Sequence, residues 1–422
     1  MDVKKCQQFF RGCCRRRGYR DSYHRGDDTH TGEQWSDPCY RNATSSDLLG
    51  RNVDDGKSDQ HRNGSRNIKE VLLVSRKHLL IAGGGTGGHI TPAIAVGQAA
   101  SEYFRVSYVC TPRPVDTLMY AGIENVSVMN PPRVDKGRRM LLPFTATKSF
   151  FSARSLLKST GVDAVLGTGG YSSFFAVAAA RSLGIPAALF DSNAVPGKSN
   201  RIASRFCKMA FTGLPGGEKG LHCEVFYTGT PVSDKLKRVP DAVKTLGIPE
   251  NSSVILFLGG SQGASAINDL ALETATEDVF VLLQAGERDY SRVMKKAGHL
   301  TGIKIDSFVH DLSVWYSAAD LVVARAGGQT IAELAHFGLP AMLVPYPFAA
   351  EDHQTANAEA VAGKGAALSV EQQSAKSSGF VQTAVNLAAD KDRLQKMSQA
   401  MSSVFPSDPA LSIVSHLREM TQ

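Results

Sequence analysis

From Glu70 onward, short apolar runs alternate with longer stretches whose apolar residues recur at helical spacing. "VLLVSRKHLLIAG" and "FRVSYVCT" read as strands, with "TPAIAVGQAASEYF" as the helix between them. "DAVLGTGG", "PAALFD" and "KMAFTG" continue the series. Such alternation predicts a parallel sheet covered by helices. Around "TGTPVSDKLKRVPDAVKTLGIPENS", Pro, Gly and charge replace the periodicity, which predicts a linker over 233–252. A second cycle then begins with "SVILFLGG", "VFVLLQAG", "IKIDSF", "LVVARAGG" and "PAMLVPYP". The expected fold class is α/β, with two Rossmann-like domains at 71–232 and 253–422.

Residues 1–70 break this pattern. They are polar, mixed in charge and poor in Leu, Ile and Val, and they hold Cys6, Cys13, Cys14 and Cys39. A segment with so little apolar surface to bury is expected to be disordered. An alternative reading starts translation nearer Val71, which would make 1–70 an extension foreign to the protein. The next Met after Met1 is Met119, and a start there would remove the first glycine loop.

The bulk composition narrows the class. A length of 422 residues exceeds one ordinary core, and 42% apolar with 21% charged residues suits a soluble globular chain. The net charge of +7 suits anionic partners such as phosphates, acidic lipid or nucleic acid, without choosing among them. No apolar run reaches the roughly 20 residues that span a bilayer, and the N-terminus lacks a secretory core. Seven cysteines without a CxxC pair fit a reducing, cytosolic setting.

Each half opens with strand, glycine loop and helix: "IAGGGTGGHITPA" at Ile81–Ala93 and "LFLGGSQGASAIND" at Leu256–Asp269. Glycine lets a ligand approach the backbone, and the helix start offers free N–H groups to an anion. A tight strand-to-helix turn needs glycine as well, so one loop alone decides little. A dinucleotide-dependent oxidoreductase normally carries an acidic residue at the end of its second strand. Here that strand ends in Cys110 and Thr111, and Asp116 lies too far on, so this reading falls away.

"ADLVVARAGGQTIAELAHFGLPAMLVPYP" places a buried strand before Arg325, then a glycine turn and a helix starting near Thr330. Glu333 is expected in its first turn. It reads either as a carboxylate stabilised by the helix dipole or as an acceptor for ribose hydroxyls. "EDHQTANAEAV" follows, with Asp352, His353, Gln354 and Asn357 at another helix start, and Gln354 reads as a sugar ligand.

"GGGTGGHITPA", "GTGGYSS", "DSNAVPGKSNR", "GTPV", "GGSQGA" and "RAGGQTIAEL…PYPFAAEDHQTANA" together resemble the MurG family of N-acetylglucosaminyltransferases. The resemblance runs from about Leu79 to the C-terminus with the motifs in order. It implies the GT-B architecture, two Rossmann-like domains with parallel sheets facing a central cleft, acceptor on the N-terminal side and UDP-sugar mostly on the C-terminal side. It implies that Thr86, Gly87 and Gly88 line the cleft beside His89, and that Asn193 lies close to the donor sugar. Ser261 would contact the donor diphosphate and Val309 would flank the uracil. Gly328, Gln329 and Thr330 would line nucleotide and phosphates, Glu333 would hold the ribose and Gln354 the N-acetylglucosamine. Phe190, Asp191 and Ser192 depart from the family's His-Glu-Gln, and Ser233 replaces its arginine, with Lys235 or Lys237 as substitutes for that charge. Leu283, Gln284, Ala285 and Gly286 stand where an "HQTG"-like strand end is usual.

The implied reaction moves N-acetylglucosamine from UDP-N-acetylglucosamine to the 4-hydroxyl of the undecaprenyl-diphosphate-linked MurNAc-pentapeptide, lipid I, giving lipid II with inversion. It needs a base and a stabilised leaving diphosphate. Helix starts supply the second without a metal, and no cofactor is expected. His89 is the candidate base, since its unperturbed pKa lies near neutrality. It reads equally as a helix cap or a ligand of the acceptor diphosphate, and Asp191 and Asp352 are alternative bases.

A polyprenyl-linked acceptor requires an anionic membrane surface and no nucleic acid. "KGRRMLLPFTATKSFFSARSLLKS", Lys136–Ser159, interleaves Arg138, Arg139 and Lys148 with apolar residues, which suits either a membrane interface or an ordinary amphipathic helix. The expected location is peripheral, on the cytoplasmic face of the bacterial plasma membrane. The rival readings are a UDP-N-acetylglucosamine 2-epimerase-like enzyme and a non-catalytic nucleotide-sugar-binding or membrane scaffold.

Overall fold

The structure is a computed structural model, and it describes residues 76–130, 142–260, 263–276, 279–375 and 378–422. The expected disorder of 1–70, the basic pair Arg138 and Arg139, and Ser261 lie outside the described residues.

The first sheet contains β1 (His78–Gly83), β2 (Arg105–Cys110), β3 (Val126–Val128), β4 (Ala164–Gly169), β5 (Ala187–Asp191), β6 (Met209–Thr212) and β7 (Glu224–Tyr227). Its order is β3-β2-β1-β4-β5-β6-β7, and every pairing is parallel. Helices α1 (Gly87–Ala100), α2 (Pro114–Met119), α3 (Leu142–Thr160), α4 (Gly170–Ser182) and α5 (Lys198–Ala203) occupy the connections. The central strands β1 and β4 are buried at every position, as strands covered on both faces must be. Helix α1 buries Ile90, Ala93, Val96 and Ala100, one stripe at spacings of three and four.

A short helix α6 (Ala242–Thr245) precedes the second sheet. That sheet holds β8 (Ser253–Leu258), β9 (Val279–Gln284), β10 (Ile303–Asp306), β11 (Leu321–Ala324), β12 (Ala341–Leu343) and β13 (Ala367–Ser369). It repeats the scheme in the order β10-β9-β8-β11-β12-β13, again parallel. Its helices are α7 (Ser265–Thr274), α8 (Tyr290–Ala297), α9 (Ser313–Ala318), α10 (Gly328–Phe337), α11 (His353–Ala362), α12 (Gln372–Ala375), α13 (Ser378–Ala389) and α14 (Lys391–Ser402), and the chain ends in α15 (Pro409–Met420). Strand order reverses between β1 and β4 and between β8 and β11. The loops leaving these strands therefore open on a crevice at each sheet's C-terminal edge.

Three expectations change. The stretch taken as a linker docks on the second half: Leu236, Ala242, Leu246 and Ile248 enter its core, and Val239 N donates to Ser317 Oγ at 2.9 Å. The last helix leaves the second sheet. Ile413, Val414, Leu417 and Met420 of α15 bury against Leu79, Ile90 and Val96, so residues assigned to the second domain complete the first core. Helix α10 starts at Gly328 rather than Thr330, which moves Glu333 into its second turn. There the helix dipole no longer accounts for the carboxylate.

Candidate functional site

β1 delivers Gly84, Gly85 and Thr86 to the crevice, and α1 begins at once, with His89 as its third residue. His89 Nδ1 lies 3.3 Å from Gly84 O and 3.3 Å from Thr86 Oγ1. A carbonyl oxygen only accepts, so Nδ1 carries the hydrogen and Nε2 presents its lone pair. Among the described residues Nε2 has no partner. Neither ring nitrogen takes an amide of α1, so the side chain is not a helix cap. Burial holds the imidazole below its ordinary pKa, against the opposing field of Asp191, and keeps it neutral.

The second motif of the first half makes room for this ring. Gly169, with φ of +113°, ends β4, and a Cβ there would lie 2.6 Å from His89 Cδ2. Thr168 Oγ1 donates to His89 O at 2.8 Å and fixes the same turn of α1.

Asp191 at the end of β5 organises "DSNAVPG". Its Oδ1 accepts from Asn193 N and Nδ2, both at 3.0 Å, and its Oδ2 from Gly197 N at 3.0 Å and Asn200 Nδ2 at 2.8 Å. Four internal donors occupy the carboxylate, which removes it as a free base. Asp352, the other alternative, is exposed and accepts from Thr355 Oγ1 at 2.6 Å.

The halves meet at this loop. Asn357 on α11 is buried; its Oδ1 accepts from Ala194 N at 2.8 Å, and its Nδ2 donates to Asn193 Oδ1 and Ala326 O, each at 3.0 Å. One amide thus joins Asn193 to the turn that opens α10. Gly328 packs so close that a Cβ would lie 2.4 Å from Ser192 O. Glu351 pairs with Arg201 and lies 3.2 Å from Lys198 Nζ. Helices α1 and α10 approach one another across the same crevice.

In the second half, Glu333 accepts from Tyr316 Oη at 2.8 Å and Gln329 Nε2 at 3.3 Å. Burial raises its pKa, and these two donors only partly oppose that. Gln284 at the end of β9 accepts from Val309 N at 3.1 Å and donates to Gly260 O at 3.5 Å, linking the second glycine loop to the residue predicted beside uracil. Gln354 Oε1 accepts from Tyr346 N at 2.9 Å, which leaves its amide nitrogen for other partners. Thr330 sits half-buried on the first turn of α10.

Thr86, Gly87, Gly88 and His89 thus gather at one helix start, while Asn193, Gly328 and the turn before it gather at the junction of the halves. The sequence motifs assign no role to Asp116, Glu351 or Asn357. Asp116 was set aside as a ribose ligand, yet it holds the first glycine loop through Gly85 N and Thr111 N. A single acid shortly after the second strand was its only signal.

Residues 79–212 match the glycosyltransferase family 28 N-terminal domain, and residues 254–410 match its C-terminal domain. A protein of Synechococcus elongatus is 36% identical over 365 residues, covering 83% of this chain and all of the relative. One of Solidesulfovibrio magneticus is 37% identical, covering 76% of this chain and 92% of the relative. Both are named UDP-N-acetylglucosamine–N-acetylmuramyl-(pentapeptide) pyrophosphoryl-undecaprenol N-acetylglucosamine transferase. The chain belongs to the MurG family. The crystal structure of Acinetobacter baumannii MurG superposes with a TM-score of 0.66 at 28% identity, over 81% of this chain and 99% of that one. Its MurG fold is GT-B, and the chain is a UDP-sugar glycosyltransferase. A UDP-GlcNAc 2-epimerase from Neisseria meningitidis shares the fold at 16% identity with a TM-score of 0.59.

Proposed function

We propose that the protein transfers N-acetylglucosamine from UDP-N-acetylglucosamine to the 4-hydroxyl of lipid-linked N-acetylmuramoyl-pentapeptide, converting lipid I to lipid II for peptidoglycan synthesis. The observation that carries the mechanism is His89, neutral and with its Nε2 lone pair turned away from the loop that holds Nδ1. Nε2 takes the proton of the acceptor hydroxyl as that oxygen bonds to the anomeric carbon. The bond from that carbon to the β-phosphate oxygen breaks with its electron pair, UDP departs, and configuration inverts. Asp191 favours the imidazolium that forms. The N-terminus of α10 and the second glycine loop face the departing diphosphate, where helix N–H groups stabilise negative charge. Glu333 accepts the ribose hydroxyls and Gln354 donates to the sugar. The epimerase-like alternative rests on fold likeness at low identity.

The acceptor's lipid places the enzyme on the cytoplasmic face of the plasma membrane, as a peripheral protein. No described helix is long and apolar enough to cross a membrane. Helix α3 supports contact with an anionic surface: Ala153 and Leu157 are buried, while Phe144 (76% exposed) and Phe151 (58% exposed) point outward around Lys148.

The test is UDP release from UDP-N-acetylglucosamine with and without a lipid I analogue. Release dependent on the analogue is expected, and His89→Ala should lower kcat by about 10² to 10⁴ with the donor KM unchanged. Release indifferent to the analogue would refute the transferase reading.

A further inference from the structure

The buried carboxylate of Asp116, on α2, has no part in the mechanism above. Gly85 N donates to its two oxygens at 3.1 and 2.9 Å, and Thr111 N donates to Oδ1 at 2.7 Å. Gly85 N–H and Gly84 C=O are the two ends of one planar peptide group. The carbonyl end of that group lies 3.3 Å from His89 Nδ1. Carboxylate, peptide group and imidazole therefore form one directed line of hydrogen bonds: Nδ1–H to carbonyl, then amide N–H to carboxylate.

We propose that Asp116 is a positioning residue for His89, acting through the Gly84–Gly85 peptide group as a carboxylate acts directly on the histidine of an acid–base dyad. The proposal rests on the reading of His89 as base. An anion on the amide N–H polarises the peptide group and makes its carbonyl a stronger acceptor. The stronger acceptor holds Nδ1–H in place, so the Nε2 lone pair stays available. It also stabilises the positive charge that develops when Nε2 takes the acceptor's proton. The proton rests on Nε2 and none moves to Asp116. The same bonds commit the Gly85 amide to the protein. Anion binding at this loop is left to the amides further into α1.

The charged and titratable groups around the line are few. Asp191 faces His89 from the end of β5, Asp116 from α2, and Arg113 from the turn before α2. Arg113 Nη1 also donates to Gly85 O at 3.1 Å. Cys110 and Tyr120 face Asp116; burial pushes the Cys110 thiol up to about 11. The Tyr120 hydroxyl donates to Gly83 O at 2.9 Å. Both stay protonated at neutral pH, so neither competes with His89 for the proton that the reaction moves.

The experiment compares Asp116→Asn, His89→Ala and the double variant, with kcat, the donor KM and the pH profile of kcat/KM as readouts. Asp116→Asn should lower kcat about tenfold, the low end of the range for a partner one hydrogen bond removed from a working group, because Asp116 acts across two, with the donor KM unchanged. The acid limb of kcat/KM should move to lower pH, because the lost anion had favoured protonated His89. In the His89→Ala background the same substitution should cost less than about twofold, since groups acting as a unit are not additive. An impaired His89→Ala enzyme on which Asp116→Asn exacts its full loss again overturns the relay and leaves His89 as base. A His89→Ala enzyme of normal turnover removes the base and the proposal together. Should Asp116→Asn fail to fold, histidine ¹⁵N shifts of the unaltered protein decide. A neutral His89 with hydrogen on Nδ1 supports the relay, and hydrogen on Nε2 overturns it.

Discussion

Asp191, at the end of β5, accepts four hydrogen bonds from Asn193, Gly197 and Asn200. Glu333, on α10, accepts two, from Tyr316 and Gln329, and burial raises its pKa. The first carboxylate is completed by donors of its own loop. The second is desolvated with acceptor capacity still unspent, since an ionised carboxylate has about four lone-pair sites. The contrast separates two uses of a buried acid. Asp191, like Asp116 in the same half, holds backbone groups in place, and on the proposed reading Glu333 waits for hydroxyls that only the donor brings.

The largest effect is expected from Asp191→Ala, which strands the buried Asn200 amide and takes the shared acceptor from half-buried Asn193 and from Gly197. Loss of more than about 3 kcal/mol in chemical denaturation is the expected outcome, as each stranded donor costs roughly 1–3 kcal/mol. A loss under about 1 kcal/mol would erase the contrast. Glu333→Gln should do the reverse in the ligand-free protein. A raised folded pKa means stability that is present while the group is protonated and lost as pH rises through the carboxylate range. Removing the charge should therefore raise the melting temperature at neutral pH. The same variant should bind UDP-N-acetylglucosamine about tenfold to a hundredfold more weakly, read by calorimetry. A variant that binds normally would deny Glu333 its place.

Asn357→Ala sharpens the comparison at the junction, because it leaves Ala194 N and Ala326 O without their shared amide. A loss of about 1–3 kcal/mol is expected, with the two halves unfolding less cooperatively in a calorimetric scan. The smallest effect concerns His78, buried between Thr160 O at 3.0 Å and Ser107 Oγ at 2.8 Å. Burial lowers its pKa below 6.5, so the unfolded chain binds a proton that the folded chain refuses. Stability should fall as pH drops from about 7 to 5, and His78→Gln should flatten that slope by about 1 kcal/mol or less. An unchanged slope would show that His78 does not contribute.

The central strands were legible because a parallel strand covered on both faces is apolar along nearly all its length, as in "LLIAG" after His78 and "VILFL" after Ser253. The edge strands β3 and β7 escaped because they are short and largely uncovered, so burial imposed little pattern on them. His89, Asn193, Glu333 and Gln354 stood out through family motifs and glycine turns. Asp116, Glu351 and the role of Asn357 did not, because each acts on a partner distant in sequence or on a backbone group that has no letter.

The sequence by itself determined the duplication, the glycine turns at the strand ends and the family of the chain, since these follow from local periodicity and from motifs in order. Tertiary structure alone decided that α15 returns to the first core and that Glu333 loses the helix start. It also decided that His89 keeps Nε2 without a partner among the described residues, because a ring's tautomer follows from the group its other nitrogen meets. That group is Gly84 O, on a peptide group whose N–H donates to a carboxylate from another helix, and such a meeting exists only once the chain has folded.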